Sequence, residues 1–67
     1  MNKSFGELIR ELREDQNMTQ GVLAEKLQMT QRKISYIECG KYEPGIDDIK
    51  AFCRFFNVSA DFLLGLK

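Results

Sequence analysis

The sequence predicts an all-α fold of short helices, and three observations predict it. Apolar residues recur at spacings of three and four, as at Phe5, Leu8, Ile9 and Leu12, which gathers them on one face of a helix. Ser4, Thr19, Thr30 and Ser59 each stand immediately before such a run. There a hydroxyl can accept a bond from an unpaired N–H of the first turn. Nothing resembles a strand, a repeat, a linker or a low-complexity run. At 67 residues the expectation is one domain spanning 1–67. A domain this small buries only about 60% of the surface its unfolded chain exposes, so its stability should be modest and a dimer interface would add to it.

Helix one is expected at about 4–15. Ser4-Phe5-Gly6-Glu7 fits a capping box, with Ser4 as N-cap and Glu7 reaching back. Glu7, Glu11 and Glu14 line the solvated side. Nothing holds them together or desolvates them, so they do not read as a catalytic or metal-binding set. Arg13 sits at the edge of the apolar face, and Asp15 to Met18 form the turn into helix two. Helix two is expected at about 19–27, with Leu23 and Leu27 one turn apart. Ala24 beside them has no bulk, so another helix can approach there. Gly21 lowers the local helix propensity by about 1 kcal/mol. Gln28 and Met29 leave room only for a three- or four-residue turn.

Helix three is expected at about 30–38. Stepping about 100° per residue from Gln31, Ile34 and Ile37 fall together on a face that must be buried. Arg32 and Ser35 fall opposite, flanked by Gln31 and Tyr36. Cys39 to Gly45 then form a loop. Pro44 suits a helix entry, Gly45 is a tolerable N-cap, and Asp47 and Asp48 complement the positive end of the next helix. Helix four is expected at about 46–56, with Ile46, Ile49, Phe52, Cys53 and Phe56 as its buried face. Asn57-Val58 ends it. Ser59 caps a last helix at about 60–65, with Asp61 in its first turn and Phe62, Leu63 and Leu64 as apolar residues. The apolar set there exceeds one face. Phe55, Phe62, Leu63 and Leu66 are candidates for a dimer contact, the alternative being the loosely packed edge of a small domain.

Composition narrows the function classes. The chain is 43% apolar and 30% charged, an ordinary soluble globular composition. It has no apolar run for a membrane span and no signal-peptide core, so the cytoplasm is the expected location. Two cysteines, Cys39 and Cys53, with no histidine cannot make a four-ligand zinc site, and a cytosolic setting disfavours a disulfide. Cys53 is expected in the core and Cys39 as a partly exposed thiol. The same lack of histidine removes the usual general base, and there is no glycine-rich phosphate loop. No cofactor, metal or catalytic activity is expected.

Net charge is zero, but the charges are segregated. Lys26, Arg32, Lys33 and Lys41 face one carboxylate, Glu38, between positions 26 and 41. Glu43, Asp47 and Asp48 follow. The basic stretch coincides with helix three, whose exposed face carries an amide, a guanidinium, a hydroxyl and a phenol. Gln can bond adenine with two contacts, and Arg can do the same with guanine, in the major groove. Side chains near the N-terminus of such a helix are the ones that reach base edges, and Gln31 and Arg32 sit there. Lys33 and Lys41 are better placed for phosphates. Any exposed helix also carries such residues, so the face alone does not decide.

Residues 8–65 resemble the Cro and phage-repressor family, also called the xenobiotic-response-element family, of bacterial regulators. The matching residues are Leu12-Arg13, Thr19-Gln20, Leu23-Ala24 with Leu27, Ile34-Ser35 with Ile37-Glu38, Gly40-Lys41, Pro44, Val58-Ser59, Asp61 and Leu63-Leu64-Gly65. The resemblance implies a compact five-helix, lambda-repressor-like DNA-binding domain with its helix-turn-helix at helices two and three. It implies base-reading positions at Gln31, Arg32 and Tyr36. It places Gln20 at a phosphate, or bracing helix three, and Lys41 at the backbone; Thr30, Lys33 and Ser35 complete the expected backbone set. It also implies an Arg13–Glu38 pair tying helix one to the end of helix three. Two positions depart from the family pattern. Gln28 stands where glycine is common, and a left-handed conformation there costs a non-glycine residue roughly 1–2 kcal/mol. Cys39 stands where asparagine is common. The function so implied is sequence-specific binding of double-stranded DNA by a transcriptional regulator. The expected form is a repressor, acting as a homodimer on an inverted repeat. The alternatives are a toxin's antitoxin partner, a restriction–modification controller, or a protein-interaction module that has lost DNA binding.

Overall fold

A computed structural model describes residues 3–66. Five helices follow in order: α1 (Phe5–Asp15), α2 (Gln20–Leu27), α3 (Gln31–Cys39), α4 (Ile46–Phe56) and α5 (Ala60–Leu64). The four hydroxyl caps form as the sequence predicts. Ser4, Thr19, Thr30 and Ser59 accept from the N–H groups of Glu7, Val22, Lys33 and Phe62 at 3.0–3.2 Å. Glu7 closes the first box by accepting the Ser4 N–H at 2.9 Å.

Every helix contributes to one core of Ile9, Leu23, Ala24, Ile34, Ile37, Phe52, Phe56 and Leu63. Phe5 meets Phe52 edge-on, with centroids 5.8 Å apart. Cys53 packs against this core half-buried, and Cys39 is exposed. Gly6 sets how closely α1 approaches α3. A Cβ there would overlap the Ile37 carbonyl oxygen and come within 2.7 Å of the Glu38 carbonyl oxygen.

The tight turn between α2 and α3 does use the left-handed conformation, and a glutamine adopts it. Gln28 has φ 58° and ψ 39°, and the Met29 N–H returns to the Ala24 carbonyl at 2.8 Å, closing the end of α2. Helix α3 runs to Cys39, one residue past expectation. Gly40, at φ 77°, ends it, and the Lys41 N–H reaches the Tyr36 carbonyl at 2.8 Å.

Two expectations about packing are corrected. Ile46, counted on the buried face of helix four, is 73% exposed. The three-residue spacing puts it below Ile49, but at the first helical position no neighbour overlies it. Leu63, counted among the dimer candidates, is 1% exposed and completes the core. Three successive apolar residues, Phe62 to Leu64, do not reveal which one turns inward; the structure selects the middle one.

Candidate nucleic-acid interface

Helix α3 is held at its C-terminal end by a buried charge cluster. The Arg13 Nε and Nη2 donate to the two Glu38 carboxylate oxygens at 2.8 and 3.1 Å, with side chains 10% and 3% exposed. The remaining Nη1 donates to the Met18 carbonyl at 2.8 Å. The Gln20 Nε2 donates to Glu38 Oε1 at 3.0 Å. One guanidinium therefore joins α1, the α1–α2 turn and the end of α3. Its hydrogen bonds to Glu38 raise the Arg13 pKa against the opposing effect of burial. Of the two roles implied for Gln20, the structure shows the brace: its amide nitrogen is engaged with Glu38.

A second pair holds the N-terminal end. Lys33 Nζ donates to Asp48 Oδ1 at 2.8 Å and stands 5.2 Å from the centre of the Tyr42 ring. Asp48 is 9% exposed, and its Oδ2 accepts the Gly45 N–H at 3.0 Å. Burial alone would raise the Asp48 pKa, but the hydrogen bonds from Lys33 and Gly45 outweigh it and hold the carboxyl below its ordinary value. Lys33 is raised in turn, first by its bond to Asp48. The sequence placed Lys33 at a phosphate. In the structure its ammonium is instead paired with Asp48 of α4. The sequence had read Asp48 only as a helix-end charge. The spacing from position 33 to 48 carries no helical signal that could have joined them.

Between the two clamps, Gln31, Arg32 and Tyr36 are exposed. They form the outward face that the helical wheel predicts. Ser35, expected opposite the buried face, is half-buried at its margin. Gly21 lies beside Gln31, and a Cβ there would meet its Oε1 at 3.5 Å, an ordinary contact. Thr30 is exposed while its hydroxyl caps α3, and Lys41 is exposed beyond the helix end. Arg32 and Lys41 are therefore the cations at the two ends of this face that make no ion pair among the described residues.

Near the C-terminus, Phe62, Leu64 and Leu66 are exposed. Phe55 is only half-buried and meets Phe56 edge-on at 5.0 Å. Leu64 was not among the dimer candidates; it takes the outward place that Leu63 vacates. Among the described residues no cluster of histidine, cysteine or carboxylate side chains could hold a metal ion. No described helix is long and apolar enough to cross a membrane.

A short helix capped by Thr30, packed across α2 through a tight turn and showing a polar face, defines the helix-turn-helix class. The helix-turn-helix family matches residues 9–63, and the chain belongs to that family, in its Cro and phage-repressor branch. It is 40% identical over 60 residues to the HTH-type transcriptional activator BcrR of Enterococcus faecalis, covering 90% of this chain and 29% of that protein. It is 34% identical over 62 residues to the HTH-type transcriptional regulator ImmR of Bacillus subtilis, covering 92% and 49%. The chain thus spans less than half the length of these curated relatives. The P22 c2 repressor, solved in complex with a synthetic operator, aligns with a TM-score of 0.86 at 27% identity, over 94% of this chain and 96% of that one. ComR of Streptococcus suis aligns with a TM-score of 0.77 at 27% identity, over 97% and 22%.

Proposed function

We propose that this chain binds double-stranded DNA sequence-specifically and regulates transcription. In this reading α3 enters the major groove. Gln31 and Arg32, in its first turn, read base edges by paired hydrogen bonds, and Tyr36 reads one turn further along. Lys41, Thr30 and Ser35 lie at the phosphate backbone, and Gln20 orients α3 through Glu38. The observation that carries the reading is the exposed Gln31–Arg32–Tyr36 face on a helix clamped at both ends. A rigid helix presenting bidentate side chains is what base reading needs. The operator complex of the P22 c2 repressor, which shares this fold, supports it.

The protein acts in the cytoplasm, without catalysis, as a homodimer. The exposed Phe62, Leu64 and Leu66 supply the apolar surface for the second copy, with Phe55 at its margin. Twofold symmetry would set two copies of α3 about 34–36 Å apart on an inverted repeat. Repression follows from occupying a promoter. The 40% identity to a transcriptional activator supports a second reading, in which the bound dimer recruits polymerase.

Selection of bound duplexes from a random pool tests the proposal. An enriched inverted repeat, lost in Arg32→Ala, is the expected result. Folded protein that enriches no sequence would point to a module for protein contacts, whereas an antitoxin or restriction–modification controller would still enrich a sequence and be set apart by a co-purifying partner such as a toxin.

A further inference from the structure

Lys33 is in the first turn of α3, the part of the helix nearest the proposed DNA surface, yet its ammonium lies 2.8 Å from Asp48. Asp48 is nearly buried. One carboxylate oxygen is occupied by the Gly45 N–H and the other by Lys33 alone. A phosphate that drew Lys33 away would leave that second oxygen buried beside no cation, and an unpaired buried charge is strongly disfavoured. The face of the Tyr42 ring on the ammonium adds a further attraction in the same place.

We propose that Asp48 is a positioning residue for DNA binding: it withholds Lys33 from the DNA backbone, so that the first turn of α3 meets the duplex with one phosphate contact fewer. This rests on the DNA-binding reading above. Phosphate contacts raise affinity for every sequence alike, whereas base contacts discriminate. Removing one cation from the backbone set therefore lowers binding to operator and random DNA by a similar factor and makes both less dependent on salt. The zero net charge of the chain agrees with a reader that limits its unspecific attraction.

The test is the dependence of affinity on salt, measured on the selected duplex and on a random duplex. Each phosphate neutralised adds about 0.9 to the slope of log affinity against log salt. Asp48→Asn frees Lys33, so the slope should steepen by about 0.9 on both duplexes and the affinity for both should rise by a similar factor. The paired variant Lys33→Met with Asp48→Asn keeps the net charge and should leave the slope where it is. A slope that flattens by about 0.9 in the paired variant would show Lys33 at a phosphate in the native protein and overturn the proposal. So would an unchanged slope in folded Asp48→Asn, since Lys33 would then have no phosphate to be withheld from. Where Asp48→Asn does not fold, the paired variant alone decides. Native protein that binds neither duplex overturns the DNA-binding reading itself, a result distinct from either of these.

Discussion

The two ends of α3 are each fixed by an ion pair, and the pairs differ in what surrounds them. At the C-terminal end, Arg13 and Glu38 are sealed in and share their hydrogen bonds with Met18 and Gln20. At the N-terminal end, Lys33 is 30% exposed against Asp48 at 12%, beside the exposed Gln31 and Arg32. A sealed pair can only position the helix. A pair at the rim can also hold a cation back from a ligand at that surface, so it bears on binding as well as on the fold.

Glu38→Ala gives the largest effect expected. It strands a buried guanidinium and frees Gln20, which should lower the unfolding free energy by about 3–5 kcal/mol, read from the urea midpoint. A loss under about 1 kcal/mol, the size of an exposed pair, would erase the contrast between the two ends.

Gly6→Ala comes next and probes the same end through packing. The added methyl meets backbone carbonyls of Ile37 and Glu38, which cannot rotate away as a side chain can. Forcing α1 off α3 should cost about 1–3 kcal/mol. An unchanged midpoint would mean that α1 shifts freely and that Arg13 tolerates the shift.

These two ends were unequally legible in the sequence. Hydroxyl caps and the three-to-four spacing are local signals, and they located all five helices within about a residue or two. The Arg13–Glu38 pair was legible through resemblance to a family pattern. The Lys33–Asp48 pair was not, because it joins first turns of different helices and depends on how α4 crosses α3. The sequence placed Lys33 at a phosphate, but a long flexible side chain goes where its charge is met. The same limit applies to Leu63 and Ile46. Periodicity names an apolar face, but only tertiary packing shows where that face is covered.

Acid should test the rim pair. Asp48 has its folded pKa held below the ordinary aspartate value of about 3.9. Its contribution is therefore fully present above that value and is lost as pH falls through the lower, folded one. Melting temperature followed down through that window should fall more for the native chain than for Asp48→Asn, which has no such proton to take up. Identical acid profiles would mean that the rim pair contributes nothing to stability, leaving it only the role of holding Lys33 in place.

The smallest effect lies in the turn that delivers α3 to its place. Gln28 is exposed and sits at φ 58°, where a side chain is strained by roughly 1–2 kcal/mol. Glycine removes that strain but gives the unfolded chain more freedom, which takes back about 0.5–1 kcal/mol. Gln28→Gly should therefore stabilise by about 1 kcal/mol or less. Gln28→Ala keeps a Cβ in the same conformation and should change little. Gly40→Ala is the mirror test: at φ 77°, with no neighbour within 4 Å of a new Cβ, any loss comes from the backbone alone. Thermal melts of the three variants give the answer. A gain at 28 with a loss at 40 would show that the ends of α2 and α3 both depend on left-handed residues and that only the end of α3 has the residue suited to it. No gain at 28 would mean that the hydrogen bond from Met29 to Ala24 holds the turn whichever residue stands there.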